Sequence, residues 1–180
     1  MKKAHIIGLS GKIGSGKTTH ALELGKLGYN LARFSAPLKE IVAIVLGTTH
    51  TKLSDQQFKN EYLPKFGCTV GELYQLVGTN FFRALNPDVW VDAALLKLLP
   101  GQRYVFDDVR FKNEADAIRK MGGIIVRLEG DPSGCRAASH RDLTHISETE
   151  LDDYSFDHVI LTDILPISEV GRYWTIHETR

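Results

Sequence analysis

Short apolar runs alternate with segments of helical periodicity over most of the chain. Short apolar runs bounded by polar residues or glycine are typical of buried strands. The chain predicts strands at residues 5–9, 30–34, 103–106, 124–130 and 158–163. Helical patterns are predicted at residues 18–27, 36–47, 113–123 and 167–176. This alternation predicts a mostly parallel sheet with helices on both faces and ligands at the carboxyl ends of its strands.

A helical block interrupts this alternation in the middle of the chain. Residues 55–99 show no convincing strand, and their apolar residues recur at helical spacing. The two apolar stripes are Leu73, Leu76, Val77, Phe81 and Ala84, and then Val91, Ala94, Leu95 and Leu98. Residues 131–147 are polar and contain Gly, Pro, Ser, Arg and His, which predicts a mobile loop. We therefore expect one domain over residues 1–180, with a helical insert at 55–99 and a loop at 131–147.

Composition and charge indicate an ordinary globular protein and exclude some partners. A chain of 180 residues with 43% hydrophobic residues suits one domain. Lys plus Arg and Asp plus Glu both number 22. This balance argues against a protein that coats nucleic acid, because binding along a phosphate backbone needs surplus positive charge. Cys68 and Cys135 form no CxxC motif, so we expect two free thiols. His140 and His145 lack partners at ligand spacing and predict no metal site.

The amino terminus resembles a signal peptide only in its first residues. It reads MKKAHIIGLSG, with two lysines before an apolar run. That run is far too short for the hydrophobic region of a signal peptide or for a membrane span. We therefore expect a cytoplasmic protein that does not enter a membrane.

The stretch GKIGSGKTT at residues 11–19 lies between a predicted strand and a predicted helix. It fits the pattern G-x-x-x-x-G-K-[ST], in which glycines let the backbone point its N–H groups at the phosphates of a nucleotide. Lys17 would reach the outer phosphates, and Thr18 would offer a hydroxyl to Mg²⁺. A glycine-rich loop without nucleotide is the alternative, which the flanking strand and helix disfavour. The predicted phosphate-binding residues are Gly11, Ile13, Gly14, Ser15, Gly16, Lys17, Thr18 and Thr19.

The sequence VFDDVR places Asp107 and Asp108 directly after a predicted buried strand. One of these carboxylates would hold Mg²⁺ through water, opposite Thr18. A helix N-cap or an exposed turn is the structural alternative. Arg110 should face the same cleft, where a bidentate guanidinium suits a phosphate group. The alternative for Arg110 is a structural salt bridge to Asp107, Asp108 or Glu114.

Three further arginines and a tryptophan are candidate ligands. Arg83 falls outside the apolar stripe of the insert and is either a solvated helix charge or a ligand of an acceptor phosphate. Arg136 and Arg141 lie in the polar loop. They would neutralise charge on the transferring group if the loop closes as a lid, or else stay solvated. Trp90 belongs either to the core or to a base-stacking surface.

The glycine-rich motif alone does not define the reaction, because motors, GTPases and small-molecule kinases share it. The chain lacks the base-reading NKxD motif of GTPases and the length of a motor with accessory domains. A helical insert and an arginine-bearing loop are typical of a small kinase, in which the insert binds the acceptor and the loop excludes water. A regulatory P-loop ATPase that uses nucleotide as a switch is the alternative from another class.

Four segments, in order along most of the chain, resemble the bacteriophage-type deoxynucleoside monophosphate kinases. They are GKIGSGKTT; FSAPLKEIVAIVLG; LYQLVGTNFFRALNPDVWVDAA with VFDDVRFKNEADAIRKMGGIIVRLEG; and SHRDLTHISETELDDYSFDHVILTD. The first is generic, whereas DVRFKNEADAI and HISETELDD are much more specific. The resemblance implies the α/β fold of P-loop nucleotide kinases, with a five-stranded parallel sheet flanked by helices. It also implies transfer of the γ-phosphoryl group of ATP to a deoxynucleoside 5′-monophosphate.

The resemblance further implies roles for residues at matching positions. The catalytic set would be Lys17, Asp108, Arg110, Arg136 and Arg141. The acceptor-binding set would be Ser35, Lys39, Gln75, Arg83, Trp90 and Arg110. Thr18, Asp107 and Asp108 would hold Mg²⁺. Asp107 stands where a small polar residue is commoner in the family, so the sequence leaves open which aspartate holds the cation and whether the two share it. The expected partners are ATP and a deoxynucleoside monophosphate, with no nucleic acid polymer and no membrane.

The sequence leaves open the acceptor class, the base preference and the oligomeric state. The animal-type phosphomevalonate kinases have a similar glycine-rich motif, PLKE-like stretch and acidic strand end followed by arginine, and they are the nearest alternative among kinases. The base preference and a homodimeric state are also left open. For a phage protein, the expected location would be the host cytoplasm.

Overall fold

The computed structural model describes residues 5–132, 134, 144, 146–165 and 169–178. The chain divides into two compact units. The first, here called the sheet unit, comprises Met1–Arg33 and Leu98–Arg180. The second, here called the helical unit, comprises Phe34–Lys97 and contains most of the insert predicted at residues 55–99.

The elements follow one another in the alternating order that the sequence predicts. The strands are β1 (Ile6–Ser10), β2 (Asn30–Ala32), β3 (Tyr62–Leu63), β4 (Cys68–Thr69), β5 (Tyr104–Phe106), β6 (Ile124–Glu129) and β7 (His158–Leu161). The helices are α1 (Lys17–Lys26), α2 (Ala36–Leu46), α3 (His50–Ser54), α4 (Gln56–Lys59), α5 (Val70–Gln75), a π-helix (Leu76–Arg83), α6 (Val89–Leu95), α7 (Lys112–Lys120), α8 (Ile146–Thr149) and α9 (Val170–Glu178).

The sheet unit is built on a five-stranded sheet with the order β2-β5-β1-β6-β7. All its strand pairs are parallel. The predicted five-stranded parallel sheet is thereby confirmed. Strand β1 lies in the centre and is buried along its whole length, which is why its residues form a continuous apolar run. The carboxyl ends of β1, β2 and β5 therefore meet at one edge of the sheet.

Helices cover both faces of this sheet. On one face the apolar side chains of α1 and α9 join those of the strands in a single core. On the other face Gly8 of β1 lies under α7, where a Cβ atom would come within 2.8 Å of the Cδ1 atoms of Ile118 and Ile125. Helix α9 is also tied to α1 by a buried hydrogen bond of 3.1 Å from Trp174 Nε1 to His20 Nδ1. Burial lowers the pKa of His20 to about 4, so this imidazole is a neutral acceptor.

The helical unit has its own small core. One buried apolar cluster in this unit consists of Val42, Leu53, Phe58, Val70 and Leu73. Helix α2 has a proline near its start and ends at Gly47, which adopts a left-handed conformation with φ +60°. Thr69 and Glu72 form a reciprocal capping box at the start of α5.

Two details of the helical unit differ from the prediction. The expectation of no strand at residues 55–99 is wrong, because β3 and β4 form a short antiparallel pair. Each strand has only two residues, too few to leave a period in the sequence. The apolar stripe is also wrong in part, because Leu76 is 45% and Phe81 58% exposed. A π-helix has more residues per turn than an α-helix, so a spacing of three and four no longer keeps side chains on one face.

The remaining segments follow the prediction closely. Helix α9 occupies most of the segment predicted as the last helix. The polar loop predicted at residues 131–147 overlaps α8 by two residues, and most of it lies outside the described residues. Cys68 carries a free thiol, and Cys135 lies outside the described residues. Within the described part of the chain, no helix combines the length and apolar character that crossing a membrane requires.

Candidate functional site

The turn between β1 and α1 has a backbone path that requires glycine. Gly11, Gly14 and Gly16 have φ angles of +153°, +83° and +87°, which residues with a side chain rarely adopt. A Cβ atom at Gly11 would lie 2.4 Å from Ser15 Oγ and 2.5 Å from the carbonyl oxygen of Leu128. The turn therefore brings the backbone to the start of α1, where unpaired N–H groups and the helix dipole favour an anion.

The side chain of Lys17 lies over this turn and contacts its backbone. Lys17 Nζ donates hydrogen bonds to the carbonyl oxygens of Gly11 at 2.6 Å and Lys12 at 2.8 Å. The hydroxyl oxygen of Ser15 lies 3.4 Å away from the same nitrogen. Burial, and next the positive charge of Arg110, lower the pKa of Lys17 to about 7. An ammonium in this position gains strongly from any anion that enters the turn.

Asp107 lies beside Thr18 at the edge of the sheet where β1 and β5 end. Thr18 Oγ1 is 3.4 Å from Asp107 Oδ2, and the carboxylate side chain is only 3% exposed. Asp108, the other predicted acid, is half-buried. The sequence left open which aspartate faces the glycine-rich turn, and the measured proximity belongs to Asp107.

Arg33 is a charged residue of this site that the sequence analysis missed. Its Nε and Nη2 atoms donate hydrogen bonds of 2.6 Å to Oδ1 and Oδ2 of Asp107. A signal was present, because Arg33 is the one charged residue of the strand predicted at residues 30–34 and lies near its carboxyl end. The sequence analysis assigned no role to this side chain.

Arg110 is held by a carboxylate that the sequence did not predict. Its guanidinium pairs with the buried carboxylate of Glu148, and Nη1 also donates to the carbonyl oxygen of Ser147 at 3.2 Å. The predicted partner Glu114 instead accepts the backbone N–H of Arg110 at 2.8 Å and that of Phe111 at 3.1 Å. Glu114 thus fixes the backbone at the start of α7, and Glu148 fixes the guanidinium.

A second ion-pair group lies next to the glycine-rich turn. Asp152 accepts a hydrogen bond of 2.7 Å from Arg127 Nη2 and forms a 3.2 Å ion pair with Lys12. Arg127 projects from β6, and its positive charge contributes to the lowered pKa of Lys17. This edge of the sheet unit thus gathers four cationic side chains, Lys12, Lys17, Arg110 and Arg127, and the carboxylates of Glu148 and Asp152 pair with three of them. An arrangement of this kind attracts and holds phosphate groups.

The other predicted phosphate-binding residues lie in this turn or in the first turn of α1. Ser15 is buried, and its hydroxyl contacts Lys17. Ile13 and Thr19 are half-buried on either side of it. The lid residues Arg136 and Arg141 lie outside the described residues, so their role stays a prediction.

The predicted acceptor residues other than Arg110 belong to the helical unit. Ser35 is the residue before α2, Lys39 Nζ lies 3.4 Å from Ser54 Oγ, and Gln75 is exposed at the end of α5. Arg83 Nη1 donates to the carbonyl oxygen of Pro87 at 3.3 Å. Trp90 is 4% exposed and donates from Nε1 to the carbonyl oxygen of Gly78 at 3.0 Å. The indole is thus part of the core of this unit, and an acceptor role for these residues stays a prediction.

The oxygen donors at Thr18 and Asp107 fit a divalent cation that keeps much of its water. Among the described residues, no three His, Cys, Asp or Glu side chains are grouped to hold a metal ion. A hydroxyl and a carboxylate oxygen 3.4 Å apart nevertheless match the requirements of Mg²⁺. This cation takes few protein ligands and completes its octahedron with water and phosphate oxygens.

Comparisons with known proteins define the class of this chain. No protein-family model matches it. Over 187 residues it is 32% identical to a protein of Acanthamoeba polyphaga mimivirus named "Putative deoxynucleotide monophosphate kinase", and the alignment covers 91% of each chain. Among solved structures it is similar to shikimate kinase from Bacteroides thetaiotaomicron, with a TM-score of 0.54, 16% identity and coverage of 97% of this chain and 98% of that one. Shikimate kinase from Aquifex aeolicus gives a TM-score of 0.51, 18% identity and coverage of 95% and 94%.

The fold and the glycine-rich turn together define an α/β protein with the P-loop kinase fold. The similarity to shikimate kinases supports only the fold, because the sequence identities are low. The similarity to the viral protein shows the family. The chain belongs to the deoxynucleoside monophosphate kinase family, as the four segments predicted.

Proposed function

We propose that this protein transfers the γ-phosphoryl group of ATP to a deoxynucleoside 5′-monophosphate and releases the two diphosphates. The observation that carries the proposal is the meeting of Lys17, Thr18, Asp107 and Arg110 at one edge of the sheet unit. Membership of the deoxynucleoside monophosphate kinase family supports the nucleotide as acceptor.

The chemistry asks the protein mainly to position and screen charge. An acceptor phosphate with a second pKa of about 6 is largely dianionic at neutral pH, so it needs no general base. Two highly charged groups must then be brought into line against their repulsion. The N–H groups of the glycine-rich turn fix the donor phosphates, and Lys17 neutralises the charge that spreads over the transferred group.

Arg110 is the proposed contact to the acceptor phosphate. It lies on the sheet unit close enough to Lys17 to lower the pKa of that ammonium. Its side chain is 23% exposed, and the carboxylate of Glu148 pairs with its guanidinium. We further propose that Ser35, Lys39, Gln75, Arg83 and Trp90 line the acceptor side and that Arg136 and Arg141 act from the lid.

Thr18 and Asp107 would hold Mg²⁺, with Asp108 as a further candidate. When bound, Mg²⁺ would neutralise negative charge on the phosphate groups of ATP. The protein's own contribution here is to keep the Thr18 hydroxyl and the Asp107 carboxylate adjacent. Arg33 supplies the counter-charge that keeps the buried carboxylate in place.

The proposal is tested with Lys17→Ala and a matched control in the same helix. Lys17→Ala should abolish phosphoryl transfer while the melting temperature stays close to that of the wild type, because Lys17 is not a core residue. Single charge contacts to a transferring phosphoryl group are worth about 10³-fold or more in rate. Lys26→Ala removes an exposed lysine paired with Glu23 at the other end of α1 and should leave turnover unchanged. Near-normal turnover in folded Lys17→Ala would refute the kinase function.

A further inference from the structure

Arg33 and Asp107 meet because of the strand register. Strands β2 and β5 are parallel neighbours in which Ala32 lies opposite Phe106. Arg33 and Asp107 are the residues immediately after these strands, so the register brings them side by side at the carboxyl edge of the sheet. The backbone of the sheet therefore favours their pairing.

The two side chains form a bidentate ion pair. Each oxygen of the carboxylate accepts one N–H of Arg33 at 2.6 Å. A fork of this kind prevents rotation of the carboxylate about its own axis. In this fixed orientation Oδ2 lies toward Thr18, 3.4 Å from its hydroxyl oxygen.

Burial explains why the carboxylate requires this partner. Its side chain is 3% exposed, whereas that of Arg33 is 33% exposed. A buried carboxylate is stable only when its charge is paired and its oxygens accept hydrogen bonds.

We propose that Arg33 is a positioning residue that orients Asp107 toward Thr18 and so builds the cation site of the enzyme. This inference rests on the proposed function, because it assigns the cation bound with ATP to Thr18 and Asp107. Arg33 acts through the carboxylate and does not itself contact the cation. Residues that orient a metal ligand in this way are typically worth 10–100-fold in metal affinity or activity.

Two other roles for Arg33 give different results. As a purely structural ion pair, it would affect folding stability but not the cation. As a competitor of the cation, its positive charge would weaken cation binding, so its removal would tighten binding. Removal of Arg33 should therefore weaken cation binding if Arg33 is a positioning residue. It should leave cation binding unchanged if the ion pair is only structural, and tighten it if Arg33 competes with the cation.

The test measures cation affinity directly and needs no turnover. Mn²⁺ serves as the probe, and electron paramagnetic resonance counts free Mn²⁺ in the presence of a non-hydrolysable ATP analogue. Arg33→Gln removes the charge, and Arg33→Lys keeps the charge but loses the fork. We expect Mn²⁺ to bind about tenfold more weakly or worse in both variants. Affinity for the analogue without metal should be unchanged.

Arg103, at the amino end of β5, provides a matched control variant. Arg103 precedes β5, donates to the carbonyl oxygen of Leu27 and lies over the ring of Tyr29 at 4.6 Å. Like Arg33, Arg103 links β5 to the chain around β2, because it bonds to Leu27 before β2. Arg103→Gln removes this guanidinium at the amino end of β5, whereas Asp107 lies at the carboxyl end. This variant should bind Mn²⁺ as the wild type does, even if it melts at a lower temperature.

A double-mutant cycle gives a readout that a structural role would not produce. Asp107→Asn alone should weaken Mn²⁺ binding, and Arg33→Lys added to Asp107→Asn should cause no further loss. Wild-type or tighter Mn²⁺ affinity in folded Arg33→Lys would overturn the proposal, as would additive losses in the cycle. If Arg33→Gln does not fold, Arg33→Lys decides the question alone. A wild type that binds Mn²⁺ with the analogue but transfers no phosphate would refute the proposed function and leave this inference standing.

Discussion

Nη1 of Arg110 contacts both the buried carboxylate of Glu148 and, at 3.2 Å, the carbonyl oxygen of Ser147. The guanidinium is thereby tied to α8, 37 and 38 residues further along the chain. The contact gives Arg110 a fixed orientation before any substrate arrives. An arginine that is already ordered loses less conformational entropy when it binds a phosphate.

Arg110→Lys separates an acceptor ligand from a structural ion pair. Lysine keeps the positive charge but loses the planar fork. If Arg110 binds the acceptor phosphate, the acceptor KM should rise roughly tenfold or more and kcat should fall, because hydrogen bonds to charged groups are worth about 1.5–3 kcal/mol. The KM for ATP should change little. Steady-state kinetics for both substrates, together with the melting temperature, measure these effects. A lower melting temperature with unchanged acceptor kinetics would show that Arg110 only holds α8.

Gly11→Ala tests the backbone of the glycine-rich turn, and Gly25→Ala in α1 is its control. At Gly11 the new Cβ atom would meet Ser15 Oγ and the carbonyl oxygen of Leu128, and φ is +153°. We expect a loss of about 2 kcal/mol or more in the free energy of unfolding, and loss of ATP binding. At Gly25 a Cβ atom would meet nothing within 4 Å apart from the adjacent backbone of its own helix, so alanine should raise the free energy of unfolding by about 0.5–1 kcal/mol. Denaturant unfolding measures the stability of both variants, and titration measures their affinity for ATP. Equal stability of the two variants would contradict the claim that the turn requires glycine at position 11.

The lowered pKa of Lys17 predicts proton uptake when ATP binds. The pKa is about 7 without nucleotide, so above pH 8 most of the ammonium has lost its proton. Phosphate charge favours the protonated form and raises this pKa in the complex. ATP affinity should therefore be highest below pH 7 and fall as the pH rises through the range between the free and bound pKa values.

Calorimetry in buffers of different ionisation enthalpy measures this uptake. At pH 8.5 the wild type should take up close to one proton for each ATP bound. Lys17→Arg carries a permanent charge and should take up none. An uptake of zero in the wild type would show that Lys17 is already fully protonated in the free protein.

Periodicity was enough to predict the sheet and most helices of the sheet unit. The run Ile6–Ser10 is apolar at every position but the last, because β1 is covered on both faces. Since a glycine-rich turn follows directly, this run could be assigned as a strand from the sequence. The π-helix could not be predicted in this way, because its apolar residues recur at the spacing expected for an α-helix. The sequence shows no sign of the larger number of residues per turn. The short β3–β4 pair has too few residues to produce any period.

The site was predicted where a motif fixes the geometry and missed where distant segments meet. Lys17 and Thr18 lie inside one motif, so their proximity to the turn followed from the sequence. The partners Arg33 and Glu148 lie 74 and 38 residues from the residues they hold. Their pairing depends on strand register and on the placement of α8, which no local pattern encodes.

The most direct test of the account is a panel of phosphate acceptors with ATP and Mg²⁺. ATP consumption and diphosphate formation are measured with each common deoxynucleoside and ribonucleoside monophosphate, with mevalonate 5-phosphate, and with no acceptor. We predict that at least one deoxynucleoside monophosphate accelerates ATP consumption and is converted to its diphosphate, one for each ATP used. Turnover on mevalonate 5-phosphate with none on any deoxynucleotide would contradict the account, and so would ATP hydrolysis that no acceptor changes.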